Sequence, residues 1–221
     1  MTIGIIGTGK IGGTLTRRLC KLGHDVKIAN AHGPESLANL ANETGAKPVT
    51  VEDAVRDRDL IIVTIPEKSI RDLPRGLFAS VPKETVVIDT GNYYPKQRDG
   101  KIDEIESGVP ESQWVERQLG HSVVKAFNNI YAQHLADYGR PKGSPDRIAL
   151  PIAGDDSKAK AIVARLIDEL GFDAVDAGNL EESWRQQPGT PVYTQDFDAA
   201  GVRRALKEAH KERSPEWRFA A

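Results

Sequence analysis

The sequence has little of what marks a secreted, membrane or nucleic-acid-binding protein. Its one cysteine, Cys20, excludes a disulfide within the chain. A net charge of −2 over 221 residues, with no basic block, argues against partners such as nucleic acid or a membrane surface. The longest apolar runs are strand-sized, far below the ~20 residues of a membrane span. Because Met1 leads directly into such a run, we expect no signal peptide and a cytoplasmic protein.

Common catalytic signatures are also missing. There is no GxSxG nucleophile elbow, and no cysteine–histidine spacing suits a metal. Lys125 and Asn128 are similar to the lysine–asparagine pairs of hydroxyacid dehydrogenases, but one such pair at a strand end does not identify a catalytic site. We therefore predict neither a metal site nor a catalytic side chain.

The first twelve residues carry the most informative pattern. An apolar run at 3–6 is followed by Gly7-Thr8-Gly9-Lys10-Ile11-Gly12 and then by leucines at helical spacing. This strand, glycine turn and helix are the context in which GxGxxG binds a dinucleotide, with the pyrophosphate at the helix N-terminus. Gly7 suits the tight turn, Gly9 the approach of the phosphates, and Gly12 the packing of helix on strand. The alternative is a glycine-rich turn that binds no ligand.

The rest of the chain alternates strands and helices, which predicts an α/β fold with a doubly wound, Rossmann-type parallel sheet and a small C-terminal helical extension. We expect a nucleotide-binding domain over 1–178 and an extension over 179–221 that completes the substrate cleft. Strands are predicted at 3–6, 25–29, 60–66, 85–88, 121–127, 148–153 and 172–176. Helices are predicted after Gly12, from Pro34, between Thr50 and Asp57, and at 68–79, 111–119, 157–170 and 198–213. Pro74 is expected to break or kink the helix at 68–79.

The end of the second strand bears on the choice of nucleotide. An NAD-binding domain places an acidic residue there for the ribose hydroxyls, whereas this chain has Asn30. Without a carboxylate to repel a 2′-phosphate, NADPH is favoured over NADH. The N–H groups after Gly33, the Ser36 hydroxyl and the His32 ring are candidate phosphate ligands. No arginine occurs in this turn, Glu35 adds a negative charge, and an ordinary helix cap is the alternative interpretation.

Two further strand ends carry polar residues, as expected for the ligand-binding edge of an open α/β sheet. One is Thr64-Ile65-Pro66, and the other runs from Asp89 to Tyr94. Asp89 is either a site residue or the cap of its turn, and the sequence favours neither interpretation.

Taken together, the glycine turn, Thr64-Ile65-Pro66, Lys125-Ala126-Phe127-Asn128 and the segment from Asp176 to Pro191 resemble the NADP oxidoreductase family that uses the deazaflavin coenzyme F420. The reductase domain of the STEAP metalloreductases is similar. The resemblance implies that Thr8 to Ile11 wrap the pyrophosphate, and that Ala31, His32 and Ser36 lie by the 2′-phosphate. It also implies Ile65 and Ser69 at the adenosine end or diphosphate, and Thr90 and Ala126 near the nicotinamide. The predicted cofactor-binding residues are Gly7, Thr8, Gly9, Lys10, Ile11, Gly12, Asn30, Ala31, His32, Ser36, Thr64, Ile65, Pro66, Ser69, Thr90, Ala126 and Asn128.

The implied reaction is hydride transfer between NADPH and a deazaflavin or flavin-like second substrate, for which no acid–base side chain is strictly required. Asn92, Asn128, Trp184 and Arg185 are candidates for the acceptor side of the cleft. Two alternatives stay open: a reductase of another small acceptor (a quinone, ferric chelate, imine or carbonyl), and a non-catalytic NADPH-binding sensor. By family analogy we expect a homodimer, with the C-terminal helix and Trp217-Arg218-Phe219 as contact elements.

Overall fold

A six-stranded parallel sheet forms the centre of the computed structural model, which describes residues 1–219. Its strands are β1 (Thr2–Ile6), β2 (Asp25–Ala29), β3 (Lys47–Pro48), β4 (Leu60–Val63), β5 (Val86–Asp89) and β6 (Val124–Lys125). They lie in the order β3-β2-β1-β4-β5-β6, and each pair is parallel. The order reverses between β1 and β4, so a crevice opens at the carboxyl ends of these two strands. The predicted doubly wound α/β fold is thereby confirmed.

Helices cover the sheet. The α-helices are α1 (Lys10–Lys21), α2 (Ala38–Thr44), α3 (Val51–Val55), α4 (Asp103–Glu106), α5 (Glu111–Leu119), α6 (Ala132–Asp137), α7 (Ser157–Glu169) and α8 (Ala199–Glu208). Short 3-10 helices span Pro34–Leu37, Glu67–Asp72, Leu180–Gln186 and Pro215–Trp217, and a π-helical turn spans Pro95–Asp99.

The strand residues divide between two apolar clusters because successive side chains point to opposite faces of a sheet. Leu60 and Ile62 of β4 pack in the cluster that contains residues of α1 and α7. Ile61 and Val63 pack in the other cluster, with residues of α3 and α5. Both faces of β4 are therefore covered, which explains its continuous apolar sequence.

The last two predicted strands form a pair of their own. β7 (Ala149–Ile152) and β8 (Asp173–Asp176) are parallel to each other and make a separate two-stranded sheet. An antiparallel bridge between Lys125 and Ala153 joins this pair to the main sheet, and Leu150 and Ile152 of β7 pack in the same apolar cluster as Ile88 and Val124. Residues of α7 pack on one face of the pair and residues of α8 on the other.

Three predicted elements are shorter in the structure. Residues 68–79 form no α-helix, and only the 3-10 helix Glu67–Asp72 precedes Pro74. The chain breaks before Pro74 as expected, because Leu73 is extended (ψ 146°), the conformation that a residue before proline prefers. The predicted strand at 121–127 is reduced to β6, because Phe127 has φ of +60° and leaves the extended conformation. The C-terminal helix begins after its cap Asp198 but ends at Glu208, where Ala209 is extended.

No helix within residues 1–219 combines the length and the apolar character that crossing a membrane requires. The same residues contain no group of three or more histidine, cysteine, aspartate or glutamate side chains that could hold a metal ion.

Candidate functional site

The glycine turn connects β1 to α1 and leaves the N-terminus of α1 open. Gly7 has φ of +102°, which favours glycine, and a Cβ on Gly12 would lie 2.0 Å from the Gly7 carbonyl oxygen. A Cβ on Gly9 would meet no atom within 4 Å. No side chain caps α1, and its first turn contains no acidic residue. The turn therefore presents free backbone N–H groups and open space, which fits a pyrophosphate.

Thr64 and Ile65 lie against this turn from the end of β4. A Cβ on Gly7 would come within 2.3 Å of the Thr64 carbonyl oxygen and 2.8 Å of Ile65 Cγ2. Pro66 directly precedes the 3-10 helix Glu67–Asp72, where the Ser69 N–H donates to the Pro66 carbonyl at 2.9 Å. The structure thus brings Thr64 and Ile65 to the glycine turn, and Pro66 and Ser69 follow them in the chain at the start of this 3-10 helix.

A cavity of about 350 Å³ lies beside the turn, at the end of β2. Its lining includes four predicted residues, Thr8, Asn30, His32 and Ser36, and one that the sequence interpretation missed, Arg17. Ala31 lies between Asn30 and His32 in the chain, but it does not line the cavity. The cavity is of a size that could admit part of a nucleotide.

Asn30 holds the loop at this cavity in shape. Its Oδ1 accepts a hydrogen bond from the His32 N–H at 2.8 Å, and its Nδ2 donates to Ser36 Oγ at 3.0 Å. The Ser36 hydroxyl in turn donates to the Gly33 carbonyl at 2.7 Å. Both polar side chains are therefore engaged within the loop, so a ligand would have to compete with these bonds.

Arg17 supplies the cation that the sequence interpretation did not find near the second strand. It lies on α1, and its Nε and Nη2 donate to the two carboxylate oxygens of Glu43 in α2, at 2.6 and 2.8 Å. This hydrogen-bonded pairing raises the pKa of Arg17. The position of Arg17 on α1 is the feature that could have identified it. Since α1 and α2 are neighbours, a residue of α1 can reach the end of β2.

β5 and β6 are neighbours in the sheet, and the residues that follow them, Thr90, Ala126 and Asn128, are buried. The Thr90 N–H donates to the Val63 carbonyl at 3.1 Å, and the Ala126 N–H donates to the Asp89 carbonyl at 3.1 Å. Asn128 donates through Nδ2 to Asn92 Oδ1 at 3.1 Å and to the Gln186 carbonyl at 2.6 Å. Asn128 therefore ties this edge to the 3-10 helix Leu180–Gln186.

The four candidates for the acceptor side do not share one pocket. Asn92 and Asn128 are hydrogen-bonded to each other. Trp184 lines a separate cavity with residues 105–110 and 211–213, and Arg185 lines a third cavity beside α8. The structure thus corrects the expected grouping, because Trp184 and Arg185 line two cavities whose linings include neither Asn92 nor Asn128.

Aromatic side chains stand near the edge instead. The Tyr94 and Tyr193 hydroxyls are hydrogen-bonded to each other. The centroid of the Trp217 ring lies 5.9 Å from the centroid of the Tyr94 ring and 6.1 Å from that of the Tyr193 ring. The Thr194 N–H donates to the Asn129 carbonyl at 2.9 Å, which places Tyr193 beside the loop after β6. Burial and the bond to Tyr94 raise the pKa of Tyr193, so its hydroxyl stays protonated at neutral pH. We call Tyr94, Tyr193 and Trp217 the aromatic cluster.

Below this edge lies a buried group of charged side chains. Lys125 is fully buried and donates to Asp89 at 3.2 Å and to the Gly91 carbonyl at 2.5 Å. Asp89 also accepts hydrogen bonds from the Gly91 N–H and the Ser112 hydroxyl. Burial opposes the charge on Lys125, but Asp89 and Glu111 outweigh burial and raise its pKa. Asp89 and Lys125 therefore anchor the loop after β5, and neither is exposed to a substrate.

Glu67 completes this group without a hydrogen bond. It is fully buried, and neither carboxyl oxygen has a hydrogen-bond partner within residues 1–219. Burial and the nearby Asp89 raise the pKa of Glu67 well above its usual value. When Glu67 is neutral, the negative charges of Asp89 and Glu111 equal in number the positive charges of Lys125 and Arg213, with which they pair.

The chain is similar to one protein family and to several proteins of known structure. Residues 2–93 match the family described as NADP oxidoreductase, coenzyme F420-dependent. The hypothetical protein SMa0349 from Sinorhizobium meliloti is 32% identical, with a TM-score of 0.75 over 89% of this chain and 95% of that one. A protein from Arthrobacter sp. FB24, named for F420-dependent NADP reduction, is 23% identical, with a TM-score of 0.65 over 81% of this chain and 86% of that one.

One curated relative matches over a shorter stretch. The protein YjhV of Escherichia coli strain K12 is 45% identical over 78 residues, which are 35% of this chain. The match spans 57% of the length of that relative.

Proposed function

We propose that this chain, which belongs to the same family as SMa0349, transfers a hydride between NADPH and a deazaflavin or flavin-like acceptor. The match of residues 2–93 to the F420-dependent NADP oxidoreductase family supports the proposal. The observation that carries the proposal is the uncapped N-terminus of α1 with open space over Gly9. When bound, NADPH supplies the hydride, so the protein's part is to bind, to orient and to exclude water.

The glycine turn is the proposed pyrophosphate site. The backbone from Thr8 to Ile11 would bind the phosphates, because the N–H groups of the first turn have no partner within the helix. Gly7 and Gly12 keep the turn tight, and Thr64 and Ile65 border it on the side of β4. Pro66 and Ser69, which follow them in the chain, would bind from the start of the next 3-10 helix. Lys10 begins α1 and adds a positive charge at the same end.

In the proposed arrangement, the adenosine end of NADPH lies at the end of β2, and the nicotinamide end lies at the ends of β5 and β6. Asn30, Ala31, His32 and Ser36 surround the end of β2 and would receive the adenosine ribose with its 2′-phosphate. The loops after β5 and β6 would receive the nicotinamide, with Thr90 and Ala126 beneath it and Asn128 fixing the loop to Gln186. The buried ion pair of Lys125 and Asp89 supports this edge from below.

The aromatic cluster supports a flat acceptor. Tyr94, Tyr193 and Trp217 offer ring faces and edges close to the loop after β6, and aromatic rings favour offset or edge-on packing with other rings. Holding two reacting rings in register contributes to the rate through proximity and orientation. Exclusion of water follows from the apolar character of the same side chains.

The proposal is tested by stopped-flow oxidation of NADPH with a panel of acceptors. We expect turnover with a deazaflavin, weaker turnover with a flavin, and none in the Gly9→Val variant, which serves as a control for cofactor binding. Turnover confined to a quinone, a ferric chelate, an imine or a carbonyl would show that the proposed acceptor is wrong and would leave the assignment of NADPH unchanged. NADPH binding without oxidation by any acceptor would favour the sensor.

A further inference from the structure

Arg17 stands out among the residues of the cavity at the end of β2. Glu43 occupies its Nε and Nη2, but Nη1 has no hydrogen-bond partner within residues 1–219. A Cβ on Gly13 would lie 3.2 Å from this Nη1 and 3.5 Å from the Thr8 carbonyl oxygen. The free edge of the guanidinium therefore lies over the first turn of α1, next to the glycine turn.

The other polar groups of the cavity are already engaged or are neutral donors. The Ser36 hydroxyl donates to the Gly33 carbonyl, and Asn30 is bonded to both His32 and Ser36. A guanidinium keeps its charge at any working pH and offers a planar pair of donors that matches a phosphate. Arg17 is thus the permanent cation in the lining of this cavity.

We propose that Arg17 is the residue that selects a 2′-phosphorylated nucleotide, and that Glu43 limits this selection by holding the guanidinium fork. The inference rests on the proposed function and adds to it the group that distinguishes NADPH from NADH. Glu43 acts in two ways, since its carboxylate competes with the phosphate for the guanidinium donors and repels the phosphate by charge. Both side chains of the pair are about half exposed, so the guanidinium can turn from Glu43 to a ligand without unfolding any element.

The test is a titration of NADPH and NADH into the wild type and four variants. Arg17→Gln should weaken NADPH binding about tenfold and leave NADH binding unchanged, because only the former carries the 2′-phosphate. Glu43→Gln should tighten NADPH binding a few-fold without changing NADH binding. In the double variant Arg17→Gln/Glu43→Gln, the gain from Glu43→Gln should largely disappear, since it acts through Arg17.

A matched control is Arg56→Gln, which removes another exposed arginine paired with an acidic side chain, Asp53, away from this cavity. It should change neither affinity. In Arg17→Gln, an equal loss of affinity for both nucleotides, or no loss of affinity for either, would overturn the inference. The proposed function would stand in that case as long as the wild type binds NADPH more tightly than NADH. Failure of the wild type to bind either nucleotide would instead refute the proposed function.

Discussion

Gly9 and Gly12 lie three residues apart in one turn, yet a side chain has opposite consequences at the two positions. Gly9 has ordinary extended dihedral angles and open space around its Cα, so Gly9→Val should leave thermal unfolding nearly unchanged. The new side chain would occupy the proposed pyrophosphate space, and we expect NADPH affinity to fall by about 100-fold or more. Calorimetric titration beside thermal unfolding measures both effects.

The control for this variant is Gly12→Ala. Its Cβ would collide with the Gly7 carbonyl oxygen, so this variant should lower the melting temperature before any effect on a ligand is considered. Wild-type NADPH affinity in Gly9→Val would show that the phosphates bind elsewhere.

Glu67 gives a prediction about pH, also at the scale of one residue. Its pKa is raised in the folded protein, so the folded state keeps a proton that the unfolded state loses above about pH 4.5. Stability is therefore lost as the pH rises from the unfolded pKa toward the folded one, by up to ~1.4 kcal/mol per pH unit. Glu67→Gln resembles the protonated acid and cannot ionise. Its melting temperature should exceed that of the wild type at pH 8 and approach it at pH 4.5, and a constant difference across this range would contradict the assignment.

At the scale of elements, the C-terminal segment after α8 is fixed to α5 by Arg213. Its guanidinium pairs with the buried carboxylate of Glu111 and donates to Gln187 Oε1 at 3.1 Å. Arg213→Met would leave Glu111 without this partner, which should lower the free energy of unfolding by about 3 kcal/mol. Chemical denaturation measures the loss. The double variant Arg213→Met/Glu111→Gln should lose less than the sum of the two single variants, and a loss below ~0.5 kcal/mol in Arg213→Met would contradict the role of the pair.

Elements whose signals are local could be predicted from the sequence. Thr50 accepts a hydrogen bond from the Asp53 N–H as its spacing indicates, and α5 has the predicted bounds. Residues 121–127 could not be predicted as a broken strand, because Phe127 has a positive φ that a phenylalanine in an apolar run does not indicate. Arg17 and Tyr193 were not predicted for a related reason. Arg17 reaches the end of β2 only because α1 and α2 pack side by side, and Tyr193 reaches the loop after β6 from a segment remote in sequence. Glycine turns and strand ends indicate where a ligand lies, whereas the side chains around them depend on how helices pack.

At the scale of the whole molecule, the charged group below the sheet edge connects three parts of the chain. Lys125 at the end of β6 contacts Asp89 at the end of β5, Glu111 begins α5, and Arg213 reaches the group from the C-terminal segment. Tyr94 and Trp217 bring the same segments together above the edge. The C-terminal segment therefore belongs to the candidate acceptor side both in charge and in packing. A change in that segment is expected to affect the acceptor more than NADPH, because only the nicotinamide end of NADPH reaches this half of the edge in the proposed arrangement.

The last prediction is the homodimer. Trp217 is already in contact with Tyr94 and Tyr193, whereas Phe219 remains 41% exposed. With a chain mass of 24.2 kDa, light scattering at micromolar concentration should give about twice this mass, since two-fold dimers are the commonest closed assemblies. Phe219→Ser should shift the measured mass toward the monomer if the C-terminal segment forms the contact. Leu22→Ser, which changes an equally exposed apolar residue at the end of α1, should leave the dimer intact. A monomeric wild type would refute the dimer, and dissociation by Leu22→Ser alone would move the contact to the other end of the molecule.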